Sequence, residues 1–195
     1  MRQLIAAAIL LVGGAAGCNG DDNGTTDAGC VDYSSGVNTQ ACGGAPCSLA
    51  TDVMPIFQVS CNLSGSCHSN RVTTPAGEGL VMGPPAEDDM DMPITPTQEE
   101  IDEVHAIIVN GSSVRSTMPV VTPRDLANSW MMVKLEYPDI HTWGDPGVEV
   151  CEAAFSACDS TSKGCGISMP WNSPQLEPER LDIIRAWIAD GAPNN

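Results

Sequence analysis

Nine cysteines punctuate a chain of 195 residues whose first seventeen, MRQLIAAAILLVGGAAG, carry one arginine, an apolar run from Leu4 to Val12 and then only small residues. The run is too short for a permanent membrane span and has the order of an export leader. Export fixes the redox context for the cysteines that follow. In an oxidising compartment, eight cysteines besides Cys18 are expected to pair with one another or to be chemically capped. A fold made this way can rely on covalent staples and loops, and needs less regular structure than its length would otherwise demand.

Ala15-Ala16-Gly17-Cys18 resembles a bacterial lipoprotein box, and the resemblance implies lipidation of Cys18 after cleavage. The alternative is cleavage after a small residue, with Cys18 left to oxidise. Residues 18–47 are rich in Gly, Asn, Asp, Ser and Thr and have little to bury, which suits a polar tether, flexible at first and then pinned by Cys30, Cys42 and Cys47. The formal charge is −17, and removing residues 1–17 takes away one base and no acid. Such a chain is not drawn to nucleic acid or to anionic lipid headgroups. Its membrane contact is expected through the lipid anchor alone, at the cell envelope, facing the periplasm or on the outer membrane.

From Ser48 the pattern changes. Val53, Ile56, Phe57 and Ser60 recur at helical spacing, with Thr51 or Asp52 as candidate caps and Pro55 tolerable in a first turn. Thr97-Gln98-Glu99-Glu100 reads as a capping box ahead of Ile101, Val104, Ile107 and Ile108, stopped at Asn110-Gly111. EPERLDIIRAWIADGA places Pro178 in a first turn, makes a stripe of Leu181, Ile184, Trp187 and Ile188, and ends at Gly191. SWMMVKLEY (129–137) is too short and too evenly apolar to assign. No segment alternates as a strand does. The expectation is an all-α domain over 48–195, with three or more short helices and long disulfide-stapled loops.

The chemistry concentrates at SCNLSGSCHSN (60–70), where Cys61 and Cys67 are separated by five residues and His68 follows at once. A cysteine with histidine directly after it suggests covalent haem attachment, whose usual spacing is C-x-x-C-H. Downstream come CGISMPW (165–171) and the final helix. This order resembles a c-type cytochrome domain. It is more specifically similar to bacterial exported cytochrome-like domains with VxPIF before the first cysteine and a WI-x-x-GA ending, here Val53–Phe57 and Trp187–Ala192. The segment VTPRDLANSWMMVKLEY resembles the group's P-G-D-x-x-x-S-x-L-x-x-K-L, with Arg124 where that pattern has glycine.

The resemblance covers roughly residues 48–193 and implies haem c bound through thioethers from Cys61 and Cys67. His68 would be one axial ligand and Met169 the other, a pair that raises the reduction potential relative to harder ligands. Met118, also before a proline, is the alternative to Met169; Met54 and Met92, the other two in that position, are expected to be structural. His105 and His141 are more distant candidates for an axial place. The implied role is single-electron transfer to a redox partner, for which the acidic chain suits a basic protein, and not catalysis of a bulk reaction: no hydrolytic triad, phosphate loop or apolar acid pair is read in the sequence. A Cys61–Cys67 disulfide competes with haem, because a loop of this size closes without strain. It would leave a cytochrome-like surface lipoprotein with a binding or structural role. Zinc on Cys61, Cys67 and His68 fits neither the usual spacings nor an oxidising compartment. Cys30, Cys42, Cys47, Cys151, Cys158 and Cys165 are expected to make three disulfides, of a connectivity the sequence leaves open.

Overall fold

Ser48 opens the first helical segment in extended conformation, and its hydroxyl accepts from Thr51 N–H at 3.3 Å, while Asp52 Oδ2 accepts from Ser48 N–H at 2.7 Å. The cap is therefore Ser48, ahead of the Thr51 and Asp52 expected from sequence. The difference arises at Pro55. In a continuous α-helix beginning at Ser48 that ring would press on the carbonyl four residues back. The chain instead makes a π-helical turn, Leu49–Val53, with Val53 N–H bonded to Ser48 O at 3.1 Å, and then starts α1, Met54–Ser60, with Pro55 in its first turn.

The computed structural model describes residues 36–62, 67–69, 80–85, 93–113, 116–136, 169–170 and 174–195. Within them the protein is all-helical, with four α-helices and isolated bridges in place of strands. Helix α2, Gln98–Ile108, has the complete capping box between Thr97 and Glu100, buries Ile101, Val104 and Ile108, and is followed by Asn110 at φ 55°. Helix α3, Trp130–Glu136, accounts for the unassigned apolar segment: Trp130, Met131, Met132, Val133 and Leu135 are all buried. A helix apolar nearly all round has no stripe to read, because it is covered on most sides. Helix α4, Pro178–Ala189, buries Ile184, Ala186, Trp187 and Ile188 and is closed by Gly191 at φ 105°.

The π-helical turn is the meeting point, packed by α1, α2 and α4. Leu49, Val53, Met54, Phe57, Val104, Ile108, Met132, Ile184, Trp187 and Ile188 form the centre of one core. Each such side chain, fully buried, contributes about 1.5–3 kcal/mol. Met54 is thus structural, as its place in the opening helix implied. The core also takes in residues ahead of Ser48. Cys47 is buried, Val37, Ala41 and Cys42 pack on the cluster, and Cys42 and Cys47 are joined by a disulfide.

Between α2 and α3 the chain makes a turn over Thr122–Asp125, with Asp125 N–H bonded to Thr122 O at 3.0 Å. Pro123 occupies its second place and Arg124 its third, at φ 64°. A turn with proline second and positive φ third favours glycine at that third place, the residue the resembled pattern has there. Arg124 N–H donates to Ile188 O at 2.8 Å, which ties this turn to α4.

Candidate functional site

Helix α1 delivers Cys61 at its C-terminal end, where Cys61 N–H bonds to Phe57 O at 2.7 Å. The next residue, Asn62, turns inward and is fully buried. Its Nδ2 lies 3.0, 3.3 and 3.1 Å from the carbonyl oxygens of Met82, Gly83 and Pro84, holding segment 80–85 against the helix end. Gly83, at φ 104°, makes that approach possible, since a Cβ there would come within 2.8 Å of Met54 Cε. The spacer's ends are closed on each other. His68 N–H donates to Cys61 O at 3.0 Å, and Met82 N–H donates to His68 O at 2.8 Å. Of the five residues between the cysteines, Asn62 is the one described, and it packs inward. Leu63–Ser66 lie outside the described residues.

Cys61 and Cys67 are not joined by a disulfide. Burial, and then the neighbouring Cys67, push the Cys61 thiol up to about 12. His68 is half-buried, and its Nδ1 lies 2.8 Å from the Leu80 carbonyl oxygen. A carbonyl only accepts, so in the neutral ring Nδ1 carries the proton and Nε2 the lone pair. This is the arrangement in which a histidine offers Nε2 to a metal while a hydrogen bond from Nδ1–H to a backbone carbonyl fixes the ring. Burial lowers the His68 pKa; the bond to Leu80 opposes that, and the charge of Lys134 adds to the lowering. Burial is the largest of the three, and the net shift is toward a neutral imidazole.

Met169 packs on the core and its N–H donates to the Lys134 carbonyl at 2.8 Å, which hangs the Met169 loop on α3. The residues beside Cys61 and Met169 come together in one cleft of about 170 Å³, lined by Val59, Ser60, Pro170, Leu176 and Arg180 among others. The Arg180 guanidinium crosses it to donate to Ser60 Oγ at 3.2 Å. Met118 is placed differently. Its N–H donates to Ser116 Oγ at 3.0 Å, and the following Pro119 accepts from Trp130 N–H at the start of α3. Met169, by contrast, is tied to the residue whose charge acts on His68. His105 is occupied elsewhere, with Nε2 2.9 Å from the Ala192 carbonyl oxygen. Cys18, Cys30, Met92, His141, Cys151, Cys158 and Cys165 lie outside the described residues.

Two contributors escaped sequence reasoning. Asn62 offered no signal beyond following Cys61. Lys134 did: it is the one cation of α3, whose only other charged residue is Glu136, and it is half-buried with Nζ 5.8 Å from the Trp130 ring centroid. No group of three or more His, Cys, Asp and Glu side chains suited to holding a metal ion by themselves occurs among the described residues. No helix there is long and apolar enough to cross a membrane. No family model, curated protein or solved structure matches the chain.

Proposed function

We propose that the protein is an exported, lipid-anchored electron carrier with haem covalently attached at Cys61 and Cys67, in a cytochrome c-like helical domain. The observation that carries this reading is the His68 ring, which directly follows Cys67 and whose Nδ1 is held 2.8 Å from Leu80 O, so that Nε2 is the nitrogen available to a metal. The donor set fits the group: two thiols for attachment, a neutral imidazole on one side and a thioether sulfur from Met169 for the other. Bound there, haem would supply reversible one-electron chemistry at iron. The chain's own residues do the rest. Leu80 fixes the His68 tautomer, Lys134 O holds Met169, Asn62 anchors segment 80–85, and the buried faces of α1, α3 and α4 limit water. The acidic chain suits a basic partner in a weak, salt-sensitive encounter.

The test is the visible spectrum of the chain made in an exporting host with cytochrome maturation active, read before and after denaturation. Haem should stay with the denatured chain and be lost on replacing Cys61 or Cys67. Replacing Met169 should change the spectrum and lower the potential; an unchanged spectrum would move that axial place to Met118 or a histidine. A colourless protein with Cys61 and Cys67 disulfide-bonded would overturn the reading and leave a disulfide-stapled lipoprotein of binding or structural role.

A further inference from the structure

Segment 80–85 is gripped from two directions. Toward His68, Leu80 O lies 2.8 Å from Nδ1 and Met82 N–H donates to His68 O at 2.8 Å, so the segment holds both the ring and the backbone of that residue. Toward α1, Asn62 Nδ2 lies 3.0, 3.3 and 3.1 Å from the carbonyl oxygens of Met82, Gly83 and Pro84. Asn62 is itself fixed: its side chain is fully buried, and its N–H donates to Phe57 O at 2.9 Å at the end of α1. Its Oδ1 has no hydrogen-bond partner among the described residues, so the amide is kept there at a cost. Apolar packing could hold a segment close without that cost. What an amide adds is direction, because its two donors select particular carbonyls and so fix the place of the segment along the helix end.

We infer that Asn62 is a positioning residue for His68: through segment 80–84 it keeps Leu80 O on Nδ1, which holds the ring in the tautomer that presents Nε2. The inference rests on the haem reading above only for what Nε2 meets. Hydrogen bonds weaken steeply with distance and misalignment, so the Leu80 contact lasts only while the segment keeps its place. For a histidine that binds a metal, loss of the partner on its other nitrogen costs about 10–100-fold in affinity. Gly83 gives a second handle on the same segment. It has φ 104°, and a Cβ there would come 2.8 Å from Met54 Cε and 3.5 Å from Val104 Cγ2. Gly83→Ala therefore displaces the segment while leaving Asn62 and His68 chemically unaltered.

The experiment is long-range proton–nitrogen NMR of the haem-free full chain with labelled histidine, at a pH where the ring is neutral. Wild type is compared with Asn62→Ala, Asn62→Ser and Gly83→Ala, and the His68 signal is assigned by its loss in His68→Gln. Thr97→Ala, altered in the α2 cap, is the control for lowered stability alone. Wild type and Thr97→Ala should show His68 protonated at Nδ1, with slow exchange of that proton. In the other three the proton should exchange about tenfold faster, the equivalent of one hydrogen bond, and the Nε2–H form should appear. Asn62→Ser carries the comparison should Asn62→Ala fail to accumulate. A wild-type ring protonated at Nε2, or Asn62 variants that keep the wild-type tautomer and exchange rate, would overturn the inference. A chain that acquires no haem on export would defeat the haem reading and leave the tautomer result standing, so the two failures are distinguishable.

Discussion

Cys61 shows how far one residue's chemistry follows from its place. Its thiol is pushed up to about 12 by burial and then by Cys67, so the folded chain holds that proton where the unfolded chain, near 8.5, has released it. The contribution to stability is fully present below about 8.5 and is lost as pH rises toward about 12. For the haem-free chain, the urea midpoint should fall between pH 8 and pH 10, and fall less in Cys61→Ser; the same slope in both would assign the loss to other groups. Iodoacetamide at pH 8 should modify Cys61 at least a hundredfold more slowly in the folded chain than in urea, read by peptide mapping, because the thiolate is the nucleophile. The sequence made Cys61, Cys67 and His68 legible as a group, because a histidine directly after a cysteine is a local pattern. Asn62 and the Leu80 carbonyl were not legible. Their roles depend on a segment some twenty residues away folding back onto the helix end, and no local periodicity encodes that return.

Helices α2 and α4 were readable because each buries one stripe and carries its own start and stop residues. The opening helix was readable in its apolar spacing and misread at its cap, since Pro55 forces a π-helical turn that moves the start back to Ser48. Two substitutions test this level. Thr97→Ala removes the hydroxyl that accepts from Glu100 N–H and should cost about 1 kcal/mol, seen as a lower urea midpoint at constant slope; no change would mean that water replaces the cap. Arg124→Gly relieves a left-handed conformation that costs a side-chain-bearing residue about 1–2 kcal/mol. Part of that gain is offset by the freer unfolded chain. A net stabilisation of about 0.5–1 kcal/mol is expected, absent in Arg124→Ala. Destabilisation by Arg124→Gly would show that the guanidinium, whose Cζ lies 3.0 Å from where a Gly191 Cβ would stand, contributes more than the backbone conformation costs.

At the scale of the molecule, the residues after α4 join elements far apart in sequence. Ala192 O faces His105 Nε2 on α2, Pro193 O accepts from the buried Trp187 indole, and Asn194 Nδ2 donates to Asp102. Asn195 then accepts from Ala50 N–H, Ser48 Oγ and Leu49 N–H at the start of the opening helix. None of this tie is visible in a hydropathy pattern, because it consists of backbone oxygens and two asparagines. Removing residues 193–195 leaves the Trp187 N–H without its acceptor, at about 1–3 kcal/mol, and frees the first turn of the opening helix. We expect a loss of about 2–4 kcal/mol, a fall in Tm on the order of 10 °C, with Asn195→Ala alone costing about 1 kcal/mol. The chemistry should respond differently from the fold. The tail acts on the N-terminal end of the opening helix, whereas Cys61 lies at its other end. On the proposed haem reading, covalent attachment through Cys61 and Cys67 would therefore survive the deletion, while a methionine-ligation band from Met169 would vanish at a lower temperature than in wild type. If that band and the helical circular dichroism lose their signals at unrelated temperatures, the Met169 loop is held by contacts outside this core.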